Sequence, residues 1–462
     1  MKYRIEKDTI GNVKIPYNVY WGPQTQRSIN NFAINKENSR MPLEVIYAYA
    51  VIKKAAAISN NKLKKLSNKK MKLIVSVCDE IMKGELYDHF PLIIWQTGSG
   101  TQTNMNLNEV IVNRAHVLLG NKLGSGDKFL NPNDDVNMSQ SSNDTFPTSM
   151  HISIYKLVVE KLIPELDGLS LELSKKVKKF KSVIKVGRTH CMDAVPVTLG
   201  QEFSAYLDQI ETNIKILKKS LVFVSSLSIG GTAVGTGLNT PKGYDKEVVN
   251  QINKILKFKF TVAKNKFSGI SSHDVLVNLH ASFKNIAVSL MKIGNDIRML
   301  SSGPRSGISE IILPSNEPGS SIMPGKVNPT QCEALTMVCA KVIGNDGAVN
   351  IGGMSGHFQL NAFKPLIAHC LIESCQLLSD SIKSFNVNCL KGIKPNFNRI
   401  NMNINNSLML VTSLNESLGY DKASEIAKLA YLKNFSLKEA CLKLGYLKAK
   451  EFDSIVNPKK MV

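Results

Sequence analysis

Between residues 314 and 334 the chain reads PSNEPGSSIMPGKVNPTQCEA. Four prolines and two glycines in that run keep a helix or strand out of its first half, so it is a loop with specified turns. The loop carries two adjacent hydroxyls, Ser320 and Ser321, then the cation Lys326 with Val327, the amide Asn328 and the carboxylate Glu333. Hydroxyl, cation, amide and carboxylate at such short range suit proton transfer on a bound anion. They do not suit a nucleotide. A phosphate-binding loop has four residues between its glycines and Ser or Thr after its lysine. Here five residues separate Gly319 from Gly325, and Val327 follows Lys326.

Three other stretches offer small polar groups: Ser99, Gly100 and Thr101; Ser141, Ser142 and Asn143; and Thr189 beside His190. Clusters of this kind also cap helices, and Pro147 shortly after Ser141 to Asn143 points to that role as well. An imidazole titrates near neutrality, which suits exchange of a proton with a leaving hydroxyl or with water. The plainer role for His190 is that of a hydrogen-bonded histidine near a helix start. His89, His116, His151, His273, His280, His357 and His369 are structural by default.

The elements that must position these groups are helical. Residues 1 to 40 read as irregular; helical periodicity begins at Pro42, and a second helix fills 67 to 84. A segment from Pro147 to residue 180 keeps one apolar face and should kink at Pro164. Further helices are expected from Pro196 to Ser226 and over 358 to 386. Over 273 to 302, Leu276, Leu279, Phe283, Ile286, Leu290, Ile293, Ile297 and Leu300 alternate spacings of three and four. That is a coiled-coil-like seam on the order of 40 Å long. Seams of that length need long neighbours, which points to a bundle extended by other subunits. Strand signals are thin and no βαβ alternation appears, so the fold class is all-α. The glycines of GGTAVGTG (230 to 237) form a loop, not a dinucleotide site.

Composition removes several classes. At 462 residues, 43% of them apolar, the chain can fill two or three domains with a large core. No apolar run approaches the roughly 20 residues that span a bilayer, and the first residues, MKYRIEKDTIGNVKIPYNVYWG, lack the apolar core of a secretory segment. A cytoplasmic protein is expected. Eight cysteines are scattered without a CxxC pair or zinc spacing, so the thiols are expected reduced and mostly buried, with no metal and no cofactor. The net charge of +21 comes from lysines spread over many helices, with no nucleic-acid motif. It is a solvated surface whose field would speed capture of a small dianion.

The run GSSIMPGKVNPTQCEA resembles the signature of the fumarase/aspartase superfamily in the version carried by class II fumarases. So do TGSGTQTNMNLNEVIVNRA (97 to 115), NDDVNMSQSSNDTFPTSMH (133 to 151), GRTHCMDAVPVTLGQE (187 to 202), GGTAVGTGLNTP (230 to 241) and LVTSLNESLGYDKA near the carboxyl end. The resemblance covers essentially the whole chain. It implies a three-domain all-α fold: an amino-terminal domain over 1–139, a central long-helix bundle over 140–395 that carries the serine loop and forms a tetrameric core, and a small carboxyl-terminal domain over 396–462. It also implies a fumarate hydratase, reversibly hydrating fumarate to (S)-malate in the tricarboxylic acid cycle, as a homotetramer in which three chains build each pocket.

Such a reaction binds two carboxylates, removes a weakly acidic proton beside one of them and protonates the departing hydroxyl. By the resemblance Ser320 is the base, His190 the acid/base partner and Glu333 the carboxylate that fixes its tautomer. Lys326 and Asn328 contact the substrate carboxylate and the transition state. Ser99, Gly100, Thr101, Ser141, Ser142, Asn143, Thr189, Ser321 and Val327 complete a dicarboxylate pocket. Aspartate ammonia-lyase is the alternative within the superfamily, but its loop usually has Ala at the place of Gly325 and lacks the TQCE ending. A second, non-catalytic dicarboxylate site would fall on Lys128, Asn131, Pro132, Asn133 and Asp134. There this chain departs from the family, with Asn131 where histidine is usual and Lys128 where arginine is common.

Overall fold

The chain opens as a hairpin. The computed structural model, which describes residues 2–462, pairs β1 (Tyr3–Asp8) antiparallel with β2 (Gly11–Pro16). Asp8 Oδ1 accepts the N–H groups of Ile10 and Gly11 to close the turn. The buried Arg4 guanidinium donates to the carbonyls of Pro16, Val19 and Trp21. A helix follows, α1 (Pro23–Asn31). The expectation of irregular structure over residues 1 to 40 is therefore corrected: the hairpin buries only Val13 and Ile15 as an apolar face and side-chain hydrogen bonds hold much of the rest, too short a pattern for hydrophobic periodicity to reveal.

Beyond it lie α2 (Leu43–Lys62), α3 (Asn68–Met82), α4 (Thr101–Leu118) and α5 (Ser142–Leu157). The last starts at Ser142, not Pro147, because Ser141 caps it; Pro147 sits inside, with no N–H to offer the carbonyl one turn back. A π-turn, Val158–Leu162, then leads into α6 (Ile163–Phe180). It supplies the register slip that accommodates Pro164, where the sequence reading expected a kink. Residues 184 to 198 form a second hairpin, β3 (Ile184–Thr189) with β4 (Met192–Thr198), so α7 (Leu199–Val224) starts after Pro196.

The remaining helices are α8 (Tyr244–Leu256), the short α9 (Lys266–Ser271), α10 (Asp274–Leu300), α11 (Thr330–Met354), α12 (Lys364–Asn388) and α13 (Phe397–Asn406), with further helices to Ile455. Apart from the two hairpins, every strand among the described residues is two residues long, so the all-α reading holds. On α10 all eight seam residues, Leu276 to Leu300, are buried. Each contributes about 2 kcal/mol of transfer free energy.

Two compact units form, one from Met1–Pro164, Lys215–Asn285 and Ala340–Ser379, the other from Glu165–Ile214, Ile286–Cys339 and Asp380–Val462. The first unit packs Val51, Ile52 and Ala55 of α2 with Ile152 of α5 and Val248 and Ile252 of α8. In the second, Leu414, Ile426 and Ala440 gather the carboxyl-terminal helices around Val186 of β3. No helix among the described residues is long and apolar enough to cross a membrane. All eight cysteines are unpaired, seven buried and Cys191 exposed.

Candidate active site

In the first unit the hydroxyls are joined. Ser99 Oγ lies 2.8 Å from Thr101 Oγ1, which lies 2.7 Å from Ser142 Oγ. Gly100 makes this approach possible: its φ is 77°, and a Cβ there would stand 1.9 Å from a Phe146 ring carbon. Ser141 is the N-cap of α5, as the capping reading had it. Its Oγ accepts the N–H of Asn143, and its own N–H donates to Asp144 Oδ1 at 2.9 Å, closing a capping box. Asp144 Oδ2 accepts the N–H groups of Gly230 and Thr232 at 2.9 and 3.0 Å, and Asn143 Nδ2 donates to Ala233 O at 2.8 Å. The glycine loop is thus clamped to the helix start by one fully buried carboxylate. Burial pushes the Asp144 carboxyl up to about 6.

Sequence reasoning missed Asp144, although its place three residues after Ser141 is the capping-box signal. It also missed Lys53, wholly buried in α2, whose Nζ donates to Asn104 Oδ1, Asn137 Oδ1 and Gln140 Oε1 at 2.8 to 3.0 Å. Desolvation lowers that ammonium to about 7. No local pattern reveals such a residue, because its acceptors arrive from distant segments.

In the second unit the groups expected to be catalytic stand on turns. Thr189 pairs with Met192, leaving His190 and Cys191 as a two-residue hairpin turn with φ of 56° and 60°. His190 therefore sits at a hairpin tip, not near a helix start, and both Thr189 and His190 are exposed.

The serine loop folds on itself between Ile312 and α11. Gly319 N–H donates to Lys326 O at 2.8 Å, and Asn328 Nδ2 donates to Gly319 O at 2.5 Å. A Cβ on Gly319 would meet Lys326 O at 2.5 Å. Inside this clamp Ser320 Oγ accepts the N–H groups of Ile322 and Met323 at 3.2 and 3.0 Å. Ser321, Lys326, Val327 and Glu333, the last in the first turn of α11, are exposed. A cavity of about 480 Å³ opens against the loop, lined by Arg298, Ser302, Lys326 and Asn328 among others. Two cations give it a positive wall. Within one chain no hydrogen bond among the described residues joins His190 to Ser320 or to Glu333.

At the second dicarboxylate site Lys128 Nζ lies 2.7 Å from Glu6 Oε2. Asn131 uses its side-chain oxygen to cap the turn Pro132–Val136, accepting from Asn133 and Asp134 N–H. The adjoining cavity, about 710 Å³, is also lined by Glu6, Asp8 and Glu109. A cation already paired and four acids around the space, Asp127 among them, favour a dianion little even with Lys7 there. No group of three or more His, Cys, Asp or Glu residues able to hold a metal ion occurs among the described residues.

Comparison with known proteins gives one answer along the whole chain. Residues 11–344 match the Lyase family and residues 410–462 match the Fumarase C C-terminus family. The chain is 56% identical over 462 residues to a protein of Haemophilus ducreyi named fumarate hydratase class II, covering all of this chain and 99% of that one. It is 54% identical to the mitochondrial fumarate hydratase of Danio rerio, covering 90% of that protein. Among solved structures, the recombinant class II fumarase from Schistosoma mansoni superposes with a TM-score of 0.96 at 42% identity, covering all of this chain and 99% of that one.

Proposed function

The chain belongs to the class II fumarase family, and from that premise we propose that it catalyses the reversible hydration of fumarate to (S)-malate, by anti addition through a carbanion-like intermediate. The observation that carries the reading is the pair of backbone N–H groups aimed at Ser320 Oγ. A serine hydroxyl is far too weak an acid to become a base unaided, and two preorganised amides with a lysine on the same loop stabilise its oxyanion. In the direction of malate dehydration Ser320 takes the proton from the carbon beside a carboxylate. Lys326 and Asn328 hold that carboxylate as it gains negative charge. His190, its tautomer fixed by Glu333, delivers a proton to the leaving hydroxyl. Ser99, Thr101, Ser141, Ser142, Asn143, Thr189 and Ser321 bind the substrate carboxylates. No step is assigned to a metal or organic cofactor. Reading the chain as an aspartate ammonia-lyase is not favoured, given Gly325, the TQCE ending and relatives that carry the fumarate hydratase name.

Three features support a homotetramer with pockets shared by three chains. His190 and Glu333 are exposed and unjoined in one chain. The helices are long. Apolar side chains stand in solvent along them, among them Phe223 at 64%, Met337 at 69% and Met354 at 75% exposure. The division into 1–139, 140–395 and 396–462 remains our reading of the domains. The unpaired thiols fit a cytoplasmic protein.

The test mixes two inactive chains, Ser320→Ala and His190→Asn. Hybrid tetramers identified by mass should regain part of the fumarate-hydrating activity, read as loss of ultraviolet absorbance of the conjugated double bond. Hybrids that stay inactive at every ratio would place the two residues in one subunit or remove the shared pocket. A fully active monomer in sedimentation would exclude sharing outright.

A further inference from the structure

A buried carboxylate stands at the root of both reactive turns. Glu310 is fully buried and precedes the strand that leads into the serine loop. Arg188 Nη1 and Nη2 donate to its Oε2 and Oε1, both at 2.9 Å. Lys185 Nζ lies 3.1 Å from Oε2, and Asn403 Nδ2 of α13 donates to Oε1 at 3.2 Å. Lys185 also pairs with Glu202 of α7 at 3.0 Å. The backbone of Glu310 is held too: its N–H donates to Leu300 O at 2.8 Å and its carbonyl accepts from Asn396 at 2.9 Å. Glu310 therefore gathers β3 and α13 with its side chain and the end of α10 with its backbone.

Such a cluster is poorly explained by stability alone, because desolvating the charges offsets most of their attraction. Its place in the hairpin is more telling. The ladder between β3 and β4 shifts register between Val186 and Arg188, immediately below the tip. A bulge bends its strand, so the two ladder pairs beyond it, Arg188–Asp193 and Thr189–Met192, tie the turn to the hairpin without fixing the bend on which its direction depends. Arg188, two residues before His190, supplies what the ladder does not, since a two-armed guanidinium–carboxylate contact has one orientation. We propose that Arg188 and Glu310 are positioning residues that set the direction in which the His190 turn projects, without touching substrate. This rests on the reading of His190 as the acid/base partner.

Arg188→Lys keeps a positive charge against Glu310 and removes the fork. The expected result is a drop in kcat of roughly 10- to 100-fold with KM little changed, the scale of an ångström's misplacement of a catalytic group. In a His190→Asn background the same substitution should cost nothing further, because the group it aims is gone. An equal loss in both backgrounds would mark the pair as merely structural and overturn the proposal, as would an Arg188→Lys enzyme with parental kcat. Glu310→Gln, which still accepts one arm of the fork, gives the same reading if Arg188→Lys fails to fold. A His190→Asn enzyme with near-parental turnover would overturn the His190 assignment itself, a result separate from any effect of Arg188.

Discussion

Ser142 and Thr101 sit at the starts of two packed helices with their hydroxyls already hydrogen-bonded to each other, whereas Ser320 and His190 stand on turns, one half-buried and one exposed. Both sets are polar residues at the ends of regular elements, yet the groups around them differ. Around Ser142, the Asp144 carboxylate and the Lys53 ammonium answer buried donors and acceptors from several segments, so the hydroxyls are fixed before any substrate arrives. Donors fixed in advance need no reorganisation during the reaction. At the turns, the hydrogen bonds to Ser320 Oγ come only from its own loop, and in the proposed tetramer a neighbouring chain would exclude water from it. Substitutions in the two regions should therefore separate: at the turns they lower activity alone, whereas at the helix starts they lower stability as well.

The sharpest contrast is Ser320→Ala. Turnover should fall roughly 10³-fold, the scale of losing a general base, while the melting temperature and assembly stay at parental values. Turnover near that of the parent would break the contrast at its strongest point. The opposite pattern is expected for Asp144→Ala, which leaves three backbone N–H groups unanswered and should cost about 3 kcal/mol in urea unfolding.

A pH series sharpens the comparison further. The folded Asp144 carboxyl holds its proton up to about 6, against 3.8 for an ordinary one. Between those values the folded chain binds more protons than the unfolded chain, so this group makes stability fall as pH rises, opposite to a salt-bridged carboxylate. Relative to Asp144→Asn, the parent should lose on the order of 2 kcal/mol between pH 4 and 6. A flat difference would remove the desolvation argument. Smallest is Ser141→Ala, about 1 kcal/mol for a lost cap, measured by thermal unfolding.

The same contrast explains what the sequence disclosed. The α10 seam was readable because eight apolar residues repeat at helical spacing, and the serine loop because prolines and glycines admit little else. The β3–β4 hairpin was not. Its turn lacks the Asn-Gly pair that announces such a connection, and its Val-Pro-Val run adjoins a strongly helical pattern. Lys53, within AYAVIKKAAAIS, is indistinguishable by pattern from the solvent-facing Lys54, although one is buried and the other half-exposed. What separates them is the arrival of Asn104, Asn137 and Gln140, which no spacing around residue 53 encodes. Roles within the serine loop were legible only through resemblance. The N–H groups of Ile322 and Met323 at Ser320 are main-chain atoms, which every residue except proline possesses.

The His190–Cys191 turn also bears on how far this protein can be hardened against heat. Both residues hold a left-handed backbone that disfavours any side chain by about 1 kcal/mol, and a histidine cannot give up that conformation without giving up its chemistry. Its neighbour can. Cys191→Gly relieves half of the strain and, after the unfolded-chain entropy that glycine adds, should raise stability by about 0.3 kcal/mol, leaving the imidazole where it is. Because Cys191 is the one exposed thiol among the described residues, the same change removes the site where alkylation and air oxidation would begin. Thermal tolerance and shelf life thus meet at a single position beside His190, the proposed acid/base residue.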